Sequence, residues 1–376
     1  MGRFQSSRKE SNFEAIMGKQ KSSMLLVTYN CNLHCSYCYE PKTSKFRMTA
    51  EKAKQFITDE LSCLGDEYDS VEVQFMGGEP LLEYPLIKEV AEWLWSLQMN
   101  QRLMVLFAPT NGTLLNEEMK SWFYANRNRI HLGLSFDGDN SMQDANRSAS
   151  SSRIDLDYFA KTWPEQSVKM TISPETVESL SEGVTFLHNR GFKYISADLA
   201  MGDKLQWTKA TLKKFQIELV KLCNYYMEDP ELIPLSMLRL DITSVCKKST
   251  EGIKTCGCGE NMVCVDWTGE RYACHLFSPV ALPLNKARRS NLIYDFSNHS
   301  QFNSEKCFRC ALNNVCNHCY GMNYLCTDDV TQPSPFHCSA MKMIFAANCR
   351  FRLALAERNK DIKQVESIIN VINRVS

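Results

Sequence analysis

From Met24 onward, short apolar runs rich in β-prone residues alternate with longer stretches whose apolar positions recur at helical spacing. The strand-like runs cover residues 24–28, 71–75, 103–108, 130–135, 168–172 and 194–197. Between them, 49–63, 86–95, 116–124 and 174–188 read as helices, the last with Ser173 as cap and Pro174 in its first turn. Six strand–helix alternations predict a parallel sheet with right-handed crossovers, and six are too few for a closed eight-unit barrel. The expected fold class is therefore α/β, an open TIM-like partial (β/α)6 barrel whose strand C-termini gather functional loops on one face. Leu212, Phe215, Leu219, Val220, Cys223 and Met227 mark one face of a further helix over 208–227.

Near residue 247 the pattern changes. Long periodic segments become scarce, and eleven of the seventeen cysteines fall between Cys256 and Cys349. The expected organisation is a polar tail over 1–22, a barrel over 23–240, a cysteine-rich domain over 241–350 and a C-terminal helix over 351–376. A helical stretch over 339–358 is expected to pack back on the body. Lys+Arg and Asp+Glu balance at 43 each, which argues against a surface built for phosphate backbones, so no nucleic-acid partner is expected. No apolar run approaches the ~20 residues of a membrane span, and the first residues lack the apolar core of a secretory signal. A cytoplasmic protein without a membrane partner is expected. In that compartment dense, patterned cysteines point to metals or clusters rather than disulfides.

The first cysteines stand directly after the first strand as Cys31-x3-Cys35-x2-Cys38. Three thiolates on one loop can hold three irons of a cubane and leave the fourth open, unlike the four-cysteine runs of ferredoxins. An open position marks a catalytic site. A zinc loop completed by a residue such as His34 is the alternative. One strand–helix unit later comes Met76-Gly77-Gly78-Glu79-Pro80, then Thr110-Asn111-Gly112, then Ser135-Phe136-Asp137-Gly138 with Gln143 to Arg147 following. Together these segments resemble the radical S-adenosylmethionine (radical SAM) superfamily. The resemblance implies that the open iron chelates S-adenosylmethionine, which on reduction yields methionine and a 5′-deoxyadenosyl radical. It implies Tyr37 beside the adenine, Gly77, Gly78 and Glu79 at the methionyl amino group, Ser135 at the ribose and Arg147 at the carboxylate, with Asn111 also lining the site. A turn for Asn111-Gly112 and a loop salt bridge for Arg147 are the other readings.

Further along, Cys258-x5-Cys264-x4-Gly269-x4-Cys274 precedes Cys307-x2-Cys310-x5-Cys316-x2-Cys319 and Cys338. Thr268-Gly269 between two β-prone runs fits a hairpin. This half resembles the SPASM extension of radical SAM enzymes that act on peptides and proteins. The resemblance implies two auxiliary [4Fe–4S] clusters, one on Cys258, Cys264, Cys274 and Cys319, the other on Cys307, Cys310, Cys316 and Cys338. Two departures stand out. The spacing from Cys316 to Cys319 is one residue shorter than usual, and Cys256 competes with Cys258 and Cys264. Cys326 matches no expected ligand, while Cys63, Cys223, Cys246 and Cys349 read as ordinary isolated cysteines.

The function implied is a peptide maturase that installs a thioether or other side-chain crosslink in a ribosomally made precursor. Its expected partners are that precursor, a flavodoxin- or ferredoxin-type reductant and a separate leader-binding protein. The alternatives are an anaerobic sulfatase-maturing enzyme with Asp198 as acid or base, a peptide epimerase with Cys326 or Cys246 as hydrogen donor, and a zinc-stabilised peptide-binding scaffold.

Overall fold

The computed structural model describes residues 20–64, 68–97, 104–202, 205–247, 254 and 256–375. Most of the expected polar tail thus lies outside the described residues. Strands β1 (Gln20–Thr28), β2 (Ser70–Gly77), β3 (Met104–Thr110) and β4 (Ile130–Leu134) pair in parallel in chain order. β5 (Val168–Ile172) and β6 (Ile195–Leu199) form a second parallel pair. The two sheets join at the mouth, where Ser135 bridges Lys169 and the Phe136 amide donates to the Lys169 carbonyl at 2.9 Å. The six strands follow one another in space as in sequence, which is the expected partial barrel.

Helices α1 (Ala50–Ser62), α2 (Tyr84–Ser96), α3 (Glu117–Ala125), α4 (Asn140–Asn146), α5 (Leu156–Thr162) and α6 (Leu180–Asn189) provide the crossovers. Thr49, Asn116, Asp139 and Asp155 cap four of them by accepting backbone N–H groups. The large core lies between these helices and the sheet, with Leu25, Val73, Phe75, Ala108, Phe123 and Ile172 sealed within it. Pro174 departs from expectation. The Ser173 hydroxyl donates to Asn146 Oδ1 at 2.9 Å instead of capping a helix, Ser173–Thr176 close a turn, and α6 starts only at Leu180.

The cysteine-rich segment opens with a hairpin, β7 (Met262–Val265) and β8 (Arg271–Tyr272). Asp266 Oδ1 closes its turn by accepting from the Thr268 and Glu270 amides and the Thr268 hydroxyl, while Gly269 takes the left-handed backbone at φ 92°. β7 then pairs in parallel with β1, with Met24 opposite Cys264. The hairpin therefore extends the barrel sheet past β1 instead of standing apart from it. A second core of Tyr272, Phe277, Phe296, Phe302, Tyr320 and Tyr324 packs behind it.

After α7 (Lys209–Glu228), the chain passes α8 (Leu284–Ile293), α9 (Glu305–Phe308) and α10 (Tyr320–Thr327) to α11 (Pro335–Arg358) and α12 (Ile362–Val375). The expected division at 350/351 falls inside α11, and the expected single C-terminal helix is the end of α11 plus α12. α11 packs along α7, where Cys223 of α7 contacts the Ala347 carbonyl. No described helix is long and apolar enough to cross a membrane.

Asn348 fastens α11 to the segment that follows α7. Fully buried, it donates to the Met237 and Ile344 carbonyls at 2.7 and 2.8 Å and accepts from the Leu240 amide at 3.0 Å. Asn348→Leu leaves the Leu240 amide and the Met237 carbonyl unpaired, and is expected to cost about 2–4 kcal/mol, read as a lower midpoint in chemical denaturation.

Candidate active site

The loops after β1, β2, β3 and β4 meet at the C-terminal face of the sheet. The loop from Asn30 to Glu40 carries Cys31, Cys35 and Cys38, all half-buried. Its path is set by backbone contacts to distant elements: the Ser36 amide donates to the Asn146 carbonyl at 2.9 Å and the His34 amide to Ser148 Oγ at 2.7 Å. His34, the alternative fourth ligand of a zinc loop, leaves its side chain exposed.

Burial pushes the Cys31 thiol up to about 11, and it also raises Cys35 and Cys38. Lys42 pulls in the opposite direction on all three, and Arg147 does so on Cys35. The chain thus supplies part of the positive charge that would favour thiolates here. A bound iron cluster would supply the rest. The Leu33 amide and Asn111 Nδ2 point hydrogens at Cys31 Sγ, at 3.5 and 4.0 Å. A donor set of three thiols with N–H groups at sulfur fits an iron–sulfur cluster.

Gly77 and Gly78 lie where β2 runs against this loop. A Cβ at Gly77 would stand 2.1 Å from the Thr28 carbonyl oxygen, and one at Gly78 2.4 Å from the Asn30 oxygen and 3.0 Å from Cys31 Cβ. The close approach these glycines permit is thus to the backbone that presents Cys31. Glu79 is sealed from solvent and engaged by protein donors: Oε1 accepts from Thr110 Oγ1 at 2.8 Å and the Leu81 amide at 3.1 Å, and Oε2 from the Asn111 amide at 2.8 Å. Burial lifts its carboxyl to about 7 against these bonds. Asn111, in turn, donates to Asn32 Oδ1 at 3.0 Å, so β2, β3 and the cysteine loop form one hydrogen-bonded unit. Ser135 is half-buried at the β4–β5 junction, its amide bonded to the Thr110 carbonyl at 2.8 Å.

Arg147 and Tyr37 meet on a residue to which sequence reasoning assigned no role. Asp137, fully buried, accepts from the Tyr37 hydroxyl at 2.5 Å, Thr171 N at 2.8 Å, Arg147 Nη2 at 3.0 Å and Asn146 Nδ2 at 3.2 Å. The Arg147 guanidinium also stands over the Tyr37 ring, 5.4 Å from its centroid. Asp137 was legible in the Ser135-to-Gly138 segment, but its partners lie as far as 100 positions away.

The later cysteines gather in two groups. Burial pushes Cys316 up to about 12, with Cys338, Cys307 and Cys310 adding to the rise, which are the four thiols expected together. In the other group Cys274 is raised by burial, then by Cys319 and Cys256, while Cys258 shares a hydrogen bond with Cys256 and Cys264 lies near Cys274. This group therefore has five thiols, not four. Among the described residues no three His, Cys, Asp or Glu side chains close on a single-ion site.

Tyr39 links this group to the first loop. Burial raises its phenol well above the usual range, with Glu40, Cys38, Cys319 and Cys274 around it adding to the rise. Its ring lies 6.4 Å from that of His275. Glu40 Oε2 and His275 Nδ1 are both sealed from solvent without a hydrogen-bond partner, which suits a site built to receive another molecule. At the end of β6, Asp198 is 72% exposed and pairs with Lys169 of β5, and its charge reaches Cys319.

Residues 25–155 match the family described as the Radical SAM superfamily. An uncharacterized protein of Methanocaldococcus jannaschii is 30% identical over 185 residues, which cover 48% of this chain; the chain spans 62% of that relative's length. Among solved structures, anSMEcpe with bound AdoMet superposes with a TM-score of 0.68 at 18% identity, over 93% of this chain and 98% of that one. SuiB of Streptococcus suis bound to the precursor peptide SuiA superposes with a TM-score of 0.56 at 16% identity, over 84% of this chain and 76% of that one. The chain carries a radical SAM domain, followed by a cysteine-rich C-terminal region that fits a SPASM extension.

Proposed function

We propose that this protein is a radical SAM oxidoreductase that oxidises a peptide side chain, installing a thioether or other crosslink in a ribosomally made precursor. The observation that carries this reading is the presence of two further thiol groups, one of them reaching the three-cysteine loop through Tyr39. Cys31, Cys35 and Cys38 would hold the first [4Fe–4S] cluster. Cys258, Cys264, Cys274 and Cys319 would hold one auxiliary cluster, and Cys307, Cys310, Cys316 and Cys338 the other. Tyr37, Gly77, Gly78, Glu79, Asn111, Ser135 and Arg147 would surround S-adenosylmethionine. When bound, these groups supply a carbon radical able to take hydrogen from a C–H bond, together with acceptors for the electrons of a net oxidation.

The chain's own task is placement. Glu79 acts through Asn111 and Thr110, which it holds against the cysteine loop. Asp137 balances the buried charge of Arg147 and fixes Tyr37, so that the guanidinium and the ring keep one arrangement. An electron carrier of the flavodoxin or ferredoxin type and a separate leader-binding protein complete the proposed system. A peptide substrate is supported by the fold likeness to SuiB bound to SuiA and to anSMEcpe with AdoMet and the Cp18Cys peptide, the latter with a TM-score of 0.66. A second reading, formylglycine formation in a sulfatase, is favoured by Asp198, an exposed carboxylate at the end of β6 within electrostatic reach of Cys319.

Anaerobic reconstitution tests the cofactor assignment. Wild type is expected to hold about twelve irons and to cleave S-adenosylmethionine. The Cys31→Ala, Cys35→Ala, Cys38→Ala triple variant should lose about four irons and all cleavage; stoichiometric zinc without cleavage in wild type would leave a binding scaffold. Product mass then separates the reactions on a cysteine-containing peptide. A crosslink removes two hydrogens and protects the thiol from alkylation. An aldehyde that reacts with hydrazide would move the assignment to formylglycine, and solvent deuterium retained at Cα without net oxidation to epimerisation.

Asp137→Ala leaves Arg147 buried without its counter-charge and is expected to cost about 3–5 kcal/mol, with S-adenosylmethionine binding lost in equilibrium dialysis. Tyr37→Phe removes one hydrogen bond and should cost only about 1 kcal/mol. Equal effects of the two substitutions on the denaturation midpoint would contradict the hub assigned to Asp137.

A further inference from the structure

Two histidines stand beside cysteines of the second auxiliary group, and nothing above gives either a task. His337 lies in the first turn of α11, immediately before Cys338, with its amide bonded to the Ser334 carbonyl at 3.0 Å. Its neighbour Phe336 stacks on Trp207 at 5.5 Å, and Trp207 Nε1 donates to the Ala200 carbonyl, just past β6, at 2.9 Å. The turn is thereby clamped to the barrel. From it, His337 Nε2 stands 3.6 Å from Cys316 Sγ.

The proton in this contact can be assigned. A sulfur that ligates iron is a thiolate and can only accept, so the hydrogen belongs to His337 Nε2. The second histidine walls the first in. His318, only 8% exposed, accepts at Nδ1 from Asn323 Nδ2 at 2.8 Å, and the same amide nitrogen donates to the Val330 carbonyl at 2.8 Å. Both amide hydrogens are used, so His318 keeps its own hydrogen on Nε2. Its ring crosses that of His337 at 76°, with centroids 6.2 Å apart, and crosses Tyr320 at 4.9 Å.

We propose that His337 is a positioning residue of the second auxiliary site, donating an N–H···S hydrogen bond to Cys316 that raises the reduction potential of the cluster bound there. The inference rests on the reading that Cys307, Cys310, Cys316 and Cys338 hold an iron–sulfur cluster. Those four thiols complete a cubane, so His337 acts on a ligand and is not one itself. A hydrogen bond at a ligand sulfur spreads thiolate charge and favours the more negative, reduced state. The clamp through Phe336 and the wall formed by His318 leave the ring little freedom to turn away.

The test uses full-length protein reconstituted anaerobically, with iron content and potentiometric titration followed by EPR. His337→Leu and His337→Gln should both retain the wild-type iron content. The leucine variant should shift the midpoint of one auxiliary signal to more negative potential, and the glutamine variant, whose amide can still donate, should lie nearer wild type. An unchanged midpoint in His337→Leu would overturn the proposal. So would a loss of about four irons in both variants, which would make His337 a ligand. Cys310→Ala separates the two levels of inference: if it costs no iron, the cluster assignment itself fails, and the role of His337 falls with it.

Discussion

The carboxylate of Asp137 has no access to solvent, yet it stands beside a buried arginine and takes four protein hydrogen bonds. A charge in that position is tolerable only if the geometry around it is nearly complete, because the desolvation penalty of each partner is several kcal/mol on the usual scale. Completing it requires Tyr37 from the cysteine loop, Asn146 and Arg147 at the end of α4 and the Thr171 amide of β5. The cysteine loop, the stretch from Asp137 to Arg147 and β5 must therefore arrive together. The Ser36–Asn146 backbone bond and the His34–Ser148 bond attach the same loop to the same corner. The position of Cys35 and Cys38 thus follows from the second half of the barrel as much as from the strand that precedes them.

The other side of the loop is held by the C-terminal half. β7 pairs with β1, and Glu60 of α1, itself buried, ties the joint by accepting Lys21 of β1 at 2.8 Å and Arg271 of β8. Trp267 in the hairpin turn stacks on Phe46 at 5.0 Å and 10°, and Phe46 meets Tyr29 edge-on. The residues that follow the cysteine loop are thereby pressed between barrel and hairpin. Sheet pairing carries Cys264 into register with Met24, and the chain after the hairpin brings Cys274 and His275 to Tyr39. One strand addition accounts for why cysteines more than two hundred positions apart come to share an environment.

Much of this was legible because buried parallel strands read as nearly continuous apolar runs, and because cysteine spacing is dense enough to sort by itself. Helices with a strong apolar face, such as α1 and α2, were found almost to the residue. α4 was not, since its sequence Asn140-Ser-Met-Gln-Asp-Ala-Asn146 is short and polar and is stabilised by the Asp139 cap and by contacts with Asp137. Pro174 misled for a related reason: the serine before it finds a tertiary partner in Asn146, which no local rule anticipates. Gly77 and Gly78 were legible as part of a motif, but that the Thr28 and Asn30 backbone runs against them is a fact of sheet register. Spacing alone also could not separate Cys256 from Cys258, and the fold brings both to the same group.

The distribution of charge around the mouth distinguishes support from chemistry. Asp137, Glu79 and Arg147 are buried and engaged with protein groups, so their charges are spent on holding the loop and strands in place. Asp198 and Lys169, by contrast, stay exposed and pair with each other. An exposed pair of this kind is worth little to stability, and either partner can be taken over by an incoming group at low cost. Glu40 Oε2, at the end of the first loop, and His275 Nδ1, next to Cys274, are sealed but unpartnered. A group that satisfied those two atoms would sit beside Tyr39, which Cys38, Cys319 and Cys274 surround. The face thus combines a rigid floor with adaptable polar contacts, the pairing that placing a reacting group demands of the protein around it.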